Sequence, residues 1–124
     1  NVQVFALCRN LDQQAPQLQQ WLTQQGIIHQ QLNFIQGDIT QPNLGLSKQD
    51  WLQLKTVNYL YNTSALFAWH LTMQQAKAVN VDGLERLLAC VSRHCQLERA
   101  IHLSGYMLTL NAHLQACLCQ IGGV

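Results

Sequence analysis

Two features of the sequence predict an α/β fold built on a parallel sheet. Short apolar runs of strand length alternate four times with stretches whose apolar residues recur at helical spacing, and the connections between them are short. Strands separated by helices in this way form βαβ crossovers, which make the strands parallel and cover both faces of the sheet with helices. We therefore expect a doubly wound parallel sheet in one domain over residues 1–124.

The first two strands and the helix between them are predicted within the first 36 residues. Residues 2–8 (VQVFALC) form an apolar run typical of a buried strand. A helix is predicted over residues 11–25, because Leu18 and Leu22 share one face, and Gly26 ends it as a C-terminal cap. Residues 31–36 (QLNFIQ) are predicted as the second strand.

The second half of the pattern begins with a helix that starts at Ser47. Asp50 lies in its first turn, where the helix dipole favours an acidic residue. The third strand is predicted over residues 57–61 (VNYLY), a long helix over residues 73–95 and the fourth strand over residues 100–104 (AIHLS).

Charge and composition argue against several classes of function. The net charge is +1 and no basic run exists, so binding to nucleic acid has little support. No stretch approaches the length of a membrane span. The 5 cysteines follow no regular framework, which indicates a reduced, cytoplasmic protein. Cys90, His94 and Cys95 lack the paired spacing of a zinc site, so no metal is expected.

All four predicted strands end in small or polar residues. These ends are Cys8-Arg9, Gly37-Asp38-Ile39, Asn62-Thr63-Ser64 and Ser104-Gly105. Ligands of open parallel sheets bind outside the carboxyl ends of the strands. The sequence therefore predicts a site at this edge, with a nucleotide as the natural candidate.

Five segments resemble, in order and spacing, the extended branch of the short-chain dehydrogenase/reductase superfamily. They are ALCRN, FIQGDITQPNLGLS, YLYNTSALFAW, KAVNVDGLERLL and RAIHLSGYM. The GDITQPNLGLS phrase is most similar to the thioester-reductase or male-sterility type of NAD(P)-binding domain, which includes fatty acyl reductases. The resemblance covers about residues 2–107 and implies a Rossmann-like fold. It also implies NADPH-dependent reduction of an acyl thioester held on CoA or a carrier protein, with NAD as a possible cofactor and synthetase modules as possible partners.

The resemblance implies a cofactor role for several strand-end residues. Arg9 matches the position that binds the 2′-phosphate of the adenosine ribose, for which a guanidinium is well suited. Asp38 and Ile39 match the pair that contacts the adenine ring. Asn62, Thr63 and Ser64 match a small-residue run beside the phosphates and ribose.

Two further positions follow from the same resemblance. Asn80 matches an Asn near the nicotinamide half of the cofactor, and Ser104 matches the catalytic hydroxyl that binds the substrate carbonyl. Four of these residues also have an ordinary structural explanation: a solvated Arg9, a turn-forming Asp38, a capping Asn62 or a plain strand-end Ser104.

The sequence also departs from the family pattern. The Gly-rich phosphate loop and the first strand are expected before residue 1, and no Tyr is followed by Lys four residues later. We therefore expect a central, inactive fragment of a reductase, and thus a partial NAD(P)-binding Rossmann domain over residues 1–124. The alternatives are a non-catalytic nucleotide-binding or interaction domain, and a sugar-nucleotide epimerase or dehydratase fragment.

The missing first strand has a structural consequence. In this fold it lies centrally, between the strands that end at Cys8 and Asn62. Without it, these two strands either pair directly or leave exposed edges, and an open apolar edge promotes self-association.

Overall fold

The computed structural model describes residues 2–27, 31–66 and 70–103, and its strands form two parallel pairs. One pair consists of β1 (Val4–Cys8) and β2 (Leu32–Gln36), and the other of β3 (Tyr59–Asn62) and β4 (Arg99–His102). A helical connection separates the two strands of each pair along the chain. The predicted α/β architecture with parallel strands is therefore confirmed.

The helices follow the predicted order with one interruption. They are α1 (Leu11–Gln24), a 3₁₀ turn (Pro42–Gly45), α2 (Lys48–Gln53), α3 (Met73–Lys77), a π-helix (Ala78–Gly83) and α4 (Leu84–His94). The long helix predicted over residues 73–95 thus contains a π-helical segment. A π-helix adds a residue to the turn and so changes which side chains face the strands.

Local chemistry sets the ends of the helices where the sequence predicts them. Ser47 Oγ accepts a hydrogen bond from the Asp50 N–H at 3.1 Å, and the Asp50 carboxylate accepts from the Ser47 N–H at 2.9 Å. This reciprocal capping box satisfies two backbone donors that a helix start otherwise leaves unpaired. At the end of α1, Gly26 has a φ of +71°, the left-handed conformation of a helix C-terminus.

One apolar core lies between the strands and α4. Its buried residues come from β2, from the loop after β2, from α2 and from one face of the long helical segment: Ile35, Ile39, Leu44, Leu46, Trp51, Val79, Leu87, Cys90 and Val91. Leu44 is the most deeply buried, with 1% of its surface exposed. The loop after β2 therefore belongs to the core.

The two strand pairs leave an open boundary between β1 and β3. Within the described residues these strands do not pair, yet both line the same cleft. Side chains on both strands remain exposed there, including Val4 at 49% and Tyr61 at 69%. Of the two arrangements expected without a central strand, the described chain adopts the one with unpaired edges, and the sheet is partial.

Candidate functional site

The strand ends and the open boundary form one large cleft of about 1480 Å³. Six of the seven residues predicted to bind a cofactor line it: Arg9, Asp38, Ile39, Asn62, Thr63 and Ser64. The register explains how they meet. Cys8 is opposite Gln36 in one pair and Asn62 is opposite His102 in the other, so the residues that follow these strands emerge together at the carboxyl edge.

Asp38 forms a tight turn with its own neighbour. Its Oδ1 accepts hydrogen bonds from the Thr40 N–H at 2.9 Å and from the Thr40 hydroxyl at 2.7 Å. These bonds belong to one carboxylate oxygen, and Oδ2 has no hydrogen-bond partner among the residues that the structure describes. The carboxylate thus has a fixed orientation and a free acceptor atom at the cleft.

The charge state of Asp38 suits this role. The hydrogen bond from the Thr40 hydroxyl is the main cause that lowers the pKa of Asp38 below its usual value. The Thr40 backbone bond and the positive charges of Arg9 and Arg86 lower this pKa further, while partial burial opposes them. Asp38 is therefore an ionised acceptor at neutral pH, as an interaction with an exocyclic amine requires.

The uncharged loop after Asp38 contains an unusual backbone conformation. Asn43, Leu44 and Gly45 all have positive φ angles of 55°, 59° and 67°. This rare left-handed turn points the Leu44 carbonyl at the Asp38 N–H, and the two atoms are 2.9 Å apart. The buried Leu44 side chain holds the strained turn in place, because leaving it would expose the side chain to water.

Gly37 allows this close approach. A Cβ at this position would lie 2.9 Å from the Leu44 carbonyl oxygen and 2.6 Å from Leu7 Cδ1. Glycine is therefore required here for space, and not for an unusual backbone angle.

Arg9 follows β1 directly at the edge of the cleft. Its side chain is exposed and makes no hydrogen bond to the described residues. Its charge nevertheless reaches Asp38, whose pKa it helps to lower. The guanidinium is thus available to an anionic group beside the Asp38 carboxylate. The preceding Cys8 is partly buried, which raises the pKa of its thiol and disfavours the reactive thiolate.

Asn62 is a buried polar residue that organises the end of β3. Its side chain is 4% exposed. Its Oδ1 accepts hydrogen bonds from the N–H and the hydroxyl of Ser64, and its Nδ2 lies 3.1 Å from His102 Nδ1. Because Oδ1 accepts from the Ser64 N–H, Nδ2 is the amide atom that faces the imidazole and donates to His102 Nδ1. Asn62 therefore shapes the strand-end loop and links it to β4.

Asn80 lies outside the cleft and holds one of its walls. Its amide oxygen accepts from the Leu66 N–H at 2.9 Å, and its Nδ2 donates to the Leu66 carbonyl at 3.3 Å. Leu66 itself lines the cleft. The π-helix places Asn80 opposite this loop. Direct contact between Asn80 and a cofactor stays a prediction.

Several sequence predictions lie elsewhere. Ser104, the predicted catalytic residue, lies outside the described residues. In the parts of the chain that the structure describes, no group of three or more His, Cys, Asp or Glu side chains could hold a metal ion. Cys8, Cys90 and Cys95 are free thiols. Among the same residues, no helix combines the length and apolar character needed to cross a membrane.

Sequence analysis missed three residues that shape the site. Thr40 carries a detectable signal, because Asp followed two residues later by Thr is typical of a side-chain-capped turn. Arg86 and His102 carry none, since they reach Ile39 and Asn62 across 47 and 40 positions of the sequence.

A profile of the male sterility protein family matches residues 1–118 of this chain. The chain belongs to the male sterility protein family. This confirms the resemblance found in the sequence, and membership of this NAD-binding family implies a nicotinamide nucleotide as cofactor. No curated protein sequence matches the chain significantly.

A solved structure shares the fold. The terminal R domain from the myxalamid PKS-NRPS biosynthetic pathway superimposes with a TM-score of 0.69 at 19% sequence identity. The match covers 86% of this chain and 29% of that one. The chain thus spans less than a third of the neighbour's length, and the likeness supports the Rossmann-like fold.

Proposed function

We propose that this chain is the central part of an NADPH-dependent reductase that acts on an acyl thioester bound to CoA or a carrier protein. The observation that carries the proposal is the convergence of Arg9, Asp38 and Asn62 on one cleft at the carboxyl edge of the strands. The family match and a structural neighbour that is an R domain of a PKS-NRPS pathway support this class of substrate. A carrier protein or other synthetase modules would be the partners.

The residues of the cleft fit a dinucleotide that carries a 2′-phosphate. Asp38 offers the ionised, free Oδ2 as acceptor for the adenine amine. Arg9 offers an exposed guanidinium nearby, and such a group forms bidentate hydrogen bonds with phosphate. The backbone of Ile39 would pack against the adenine ring. NAD lacks the 2′-phosphate and would forgo the interaction with Arg9.

The remaining residues would serve the other half of the site. Thr63 and Ser64 are exposed at the cleft and would contact the phosphates and ribose, with Asn62 holding their loop in place. Asn80 would position the wall that carries Leu66. When bound, NADPH supplies the hydride that reduces the thioester carbonyl. Ser104 would donate a hydrogen bond to that carbonyl. The free cysteines agree with a reduced compartment such as the cytoplasm.

A second candidate function is nucleotide binding without catalysis. None of Tyr59, Tyr61 and Tyr106 is followed by Lys four residues later, so the chain as given lacks the usual proton donor of the superfamily. We expect these 124 residues alone to be inactive as a reductase.

Cofactor binding tests the first proposal. The dissociation constants of NADPH and NADH are measured by calorimetry on the complete natural polypeptide that carries these residues, as wild type and as Arg9→Ala. A hydrogen bond to a charged group contributes about 1.5–3 kcal/mol, so we expect NADPH to bind at least tenfold more weakly to the variant and NADH to change little.

Arg99→Ala is the matched control, because Arg99 is also exposed but lies at the opposite end of the strands, at the start of β4. Equal loss of NADH and NADPH affinity in Arg9→Ala would contradict the 2′-phosphate role. Tight NADPH binding without any reduction of an acyl-CoA would favour the non-catalytic candidate.

A further inference from the structure

Arg86 binds the backbone of the turn that carries Asp38. Its Nη1 donates a hydrogen bond of 2.6 Å to the carbonyl oxygen of Ile39. The Arg86 side chain is half-buried, so this bond is shielded from water and is stronger than one on the surface. A charged donor also makes it stronger than an ordinary backbone hydrogen bond.

The same helical segment holds the side chain of Ile39. Gly83 precedes Arg86 by three residues, which places both on one helix face. A Cβ at Gly83 would lie 2.9 Å from Ile39 Cδ1, so the side chain packs directly against the helix backbone. Ile39 is 8% exposed. The helix therefore holds Ile39 at its carbonyl and at its side chain.

The turn is held from its other side by the left-handed loop. The Asp38 N–H donates to the Leu44 carbonyl at 2.9 Å, so this bond and the Arg86 bond act on the two peptide groups that flank the Asp38–Ile39 peptide. Together they define the orientation of the backbone from which the Asp38 carboxylate extends into the cleft. The Thr40 N–H of the same peptide group already donates to Asp38 Oδ1, and Arg86 restrains this peptide group from its carbonyl side as well.

We infer that Arg86 is a positioning residue for the nucleotide site: by binding the Ile39 carbonyl, it orients the Asp38–Ile39 turn toward the adenine half of the cofactor. The identity of the ligand in this inference rests on the proposed function. The effect of Arg86 on the turn does not depend on it. Arg86 has no contact with the nucleotide in this scheme.

Hydrogen exchange tests the effect on the turn without any ligand. The complete natural polypeptide is compared as wild type, Arg86→Met, which keeps most of the aliphatic chain, and Arg86→Lys, which keeps one charged donor. Arg93→Met is the control, because Arg93 is exposed on the same helix and makes no hydrogen bond to the described residues. We expect the amides of Asp38 and Thr40 to exchange at least tenfold faster in Arg86→Met, at an intermediate rate in Arg86→Lys and unchanged in Arg93→Met.

Ligand binding tests whether the turn serves the adenine half. The dissociation constants of NADPH, adenosine monophosphate and nicotinamide mononucleotide are measured on the same proteins. We expect Arg86→Met to weaken NADPH and adenosine monophosphate about tenfold each and to leave nicotinamide mononucleotide unchanged. A merely structural role would weaken all three alike, and that result would overturn the inference.

The two proposals fail in different ways. A wild-type protein that binds none of the nucleotides overturns the proposed function, and the exchange rates still decide whether Arg86 holds the turn. Unchanged exchange at Asp38 and Thr40 in Arg86→Met overturns the role of Arg86, even if NADPH binds as proposed. If Arg86→Met fails to fold, Arg86→Lys is compared with Arg86→Gln, which is polar but carries no charge. Slower exchange of both amides in Arg86→Lys than in Arg86→Gln supports the inference, and equal rates in the two variants overturn it.

Discussion

Gly37 and Gly45 are glycines for different physical reasons, and substitution separates these reasons. A methyl group at Gly37 would lie 2.6 Å from Leu7 Cδ1, 2.9 Å from the Leu44 carbonyl oxygen and 3.0 Å from Leu46 Cδ2. Ordinary contacts between such atoms are about 3.5–4.0 Å. A methyl group at Gly45 would meet only Gln41 Cβ at 3.9 Å, but Gly45 has a φ of +67°.

The expected destabilisation follows from these distances. At Gly37 the end of the Leu7 side chain can rotate away, whereas the Leu44 carbonyl is backbone and accepts the Asp38 N–H. Gly37→Ala must therefore displace this hydrogen-bonded turn. We expect the free energy of unfolding to fall by about 2–3 kcal/mol, which is the upper part of the range typical of overpacked sites. Gly45→Ala needs no displacement, and we expect about 1 kcal/mol for the left-handed conformation.

Asparagine gives the decisive comparison. It adopts the left-handed conformation more readily than alanine, so Gly45→Asn should be more stable than Gly45→Ala. At Gly37 the larger side chain only increases the overlap, so Gly37→Asn should be no more stable than Gly37→Ala. The order of the two replacements is therefore expected to differ between the sites.

Urea-induced unfolding, followed by circular dichroism, measures all four variants against wild type. Equal slopes of the transitions would show that the comparison concerns stability and not a change in the unfolded state. The reasoning is refuted if Gly37→Ala is no less stable than Gly45→Ala, or if asparagine improves on alanine at Gly37.

Three further predictions concern acid stability, the core and association. The pKa of Asp38 is lowered in the folded protein, so its ionised carboxylate stabilises the fold fully above the usual pKa of 3.8, and this effect is lost as the pH falls through the lower folded value. The free energy of unfolding should therefore fall less steeply below about pH 4 in Asp38→Asn than in wild type. Identical profiles would contradict the Thr40 bonds. Leu44→Ala should lower the free energy of unfolding by about 2–5 kcal/mol, whereas Leu52→Ala, at a position 69% exposed, should change it by less than about 0.5 kcal/mol; similar losses at both positions would count against a core role for the loop. The isolated chain of 124 residues should sediment as species larger than a monomer because, within the described residues, β1 and β3 each have an unpaired edge. A monomeric profile with a cooperative melt would disprove this.

Much of the fold could be predicted because its signals are local. The alternation of apolar runs and helical repeats determines which segments are strands and helices, and the sequence from Ser47 to Asp50 contains the capping box that starts α2. The π-helix was not predicted, because the contacts of Asn80 with Leu66 and of Gly83 with Ile39 join residues that are distant in sequence. Helix propensity, which depends on residue type alone, contains no information about these tertiary contacts.

The candidate site also has features that the sequence predicts and features that depend on tertiary contacts. Asp38 and Arg9 were predictable because polar residues at strand ends meet at one edge of a parallel sheet. Asn62 was predicted as a contact for the cofactor, and the structure shows it buried and bonded to Ser64 and His102. Sequence position indicates that a polar side chain lies at the edge, but not which of its hydrogen bonds the protein itself uses.

The sequence by itself thus determined the α/β class and the strand ends where ligand-binding residues collect, because periodicity, caps and strand-end polarity depend on neighbours along the chain. It also indicated the family, through the resemblance of five segments in order and spacing. Only the tertiary structure decided that Arg86 holds the Ile39 carbonyl, that Leu44 adopts a buried left-handed turn and that β1 and β3 remain apart across a cleft. These features depend on groups distant in sequence that come within a few ångströms only when the core packs, and no local pattern encodes their distances.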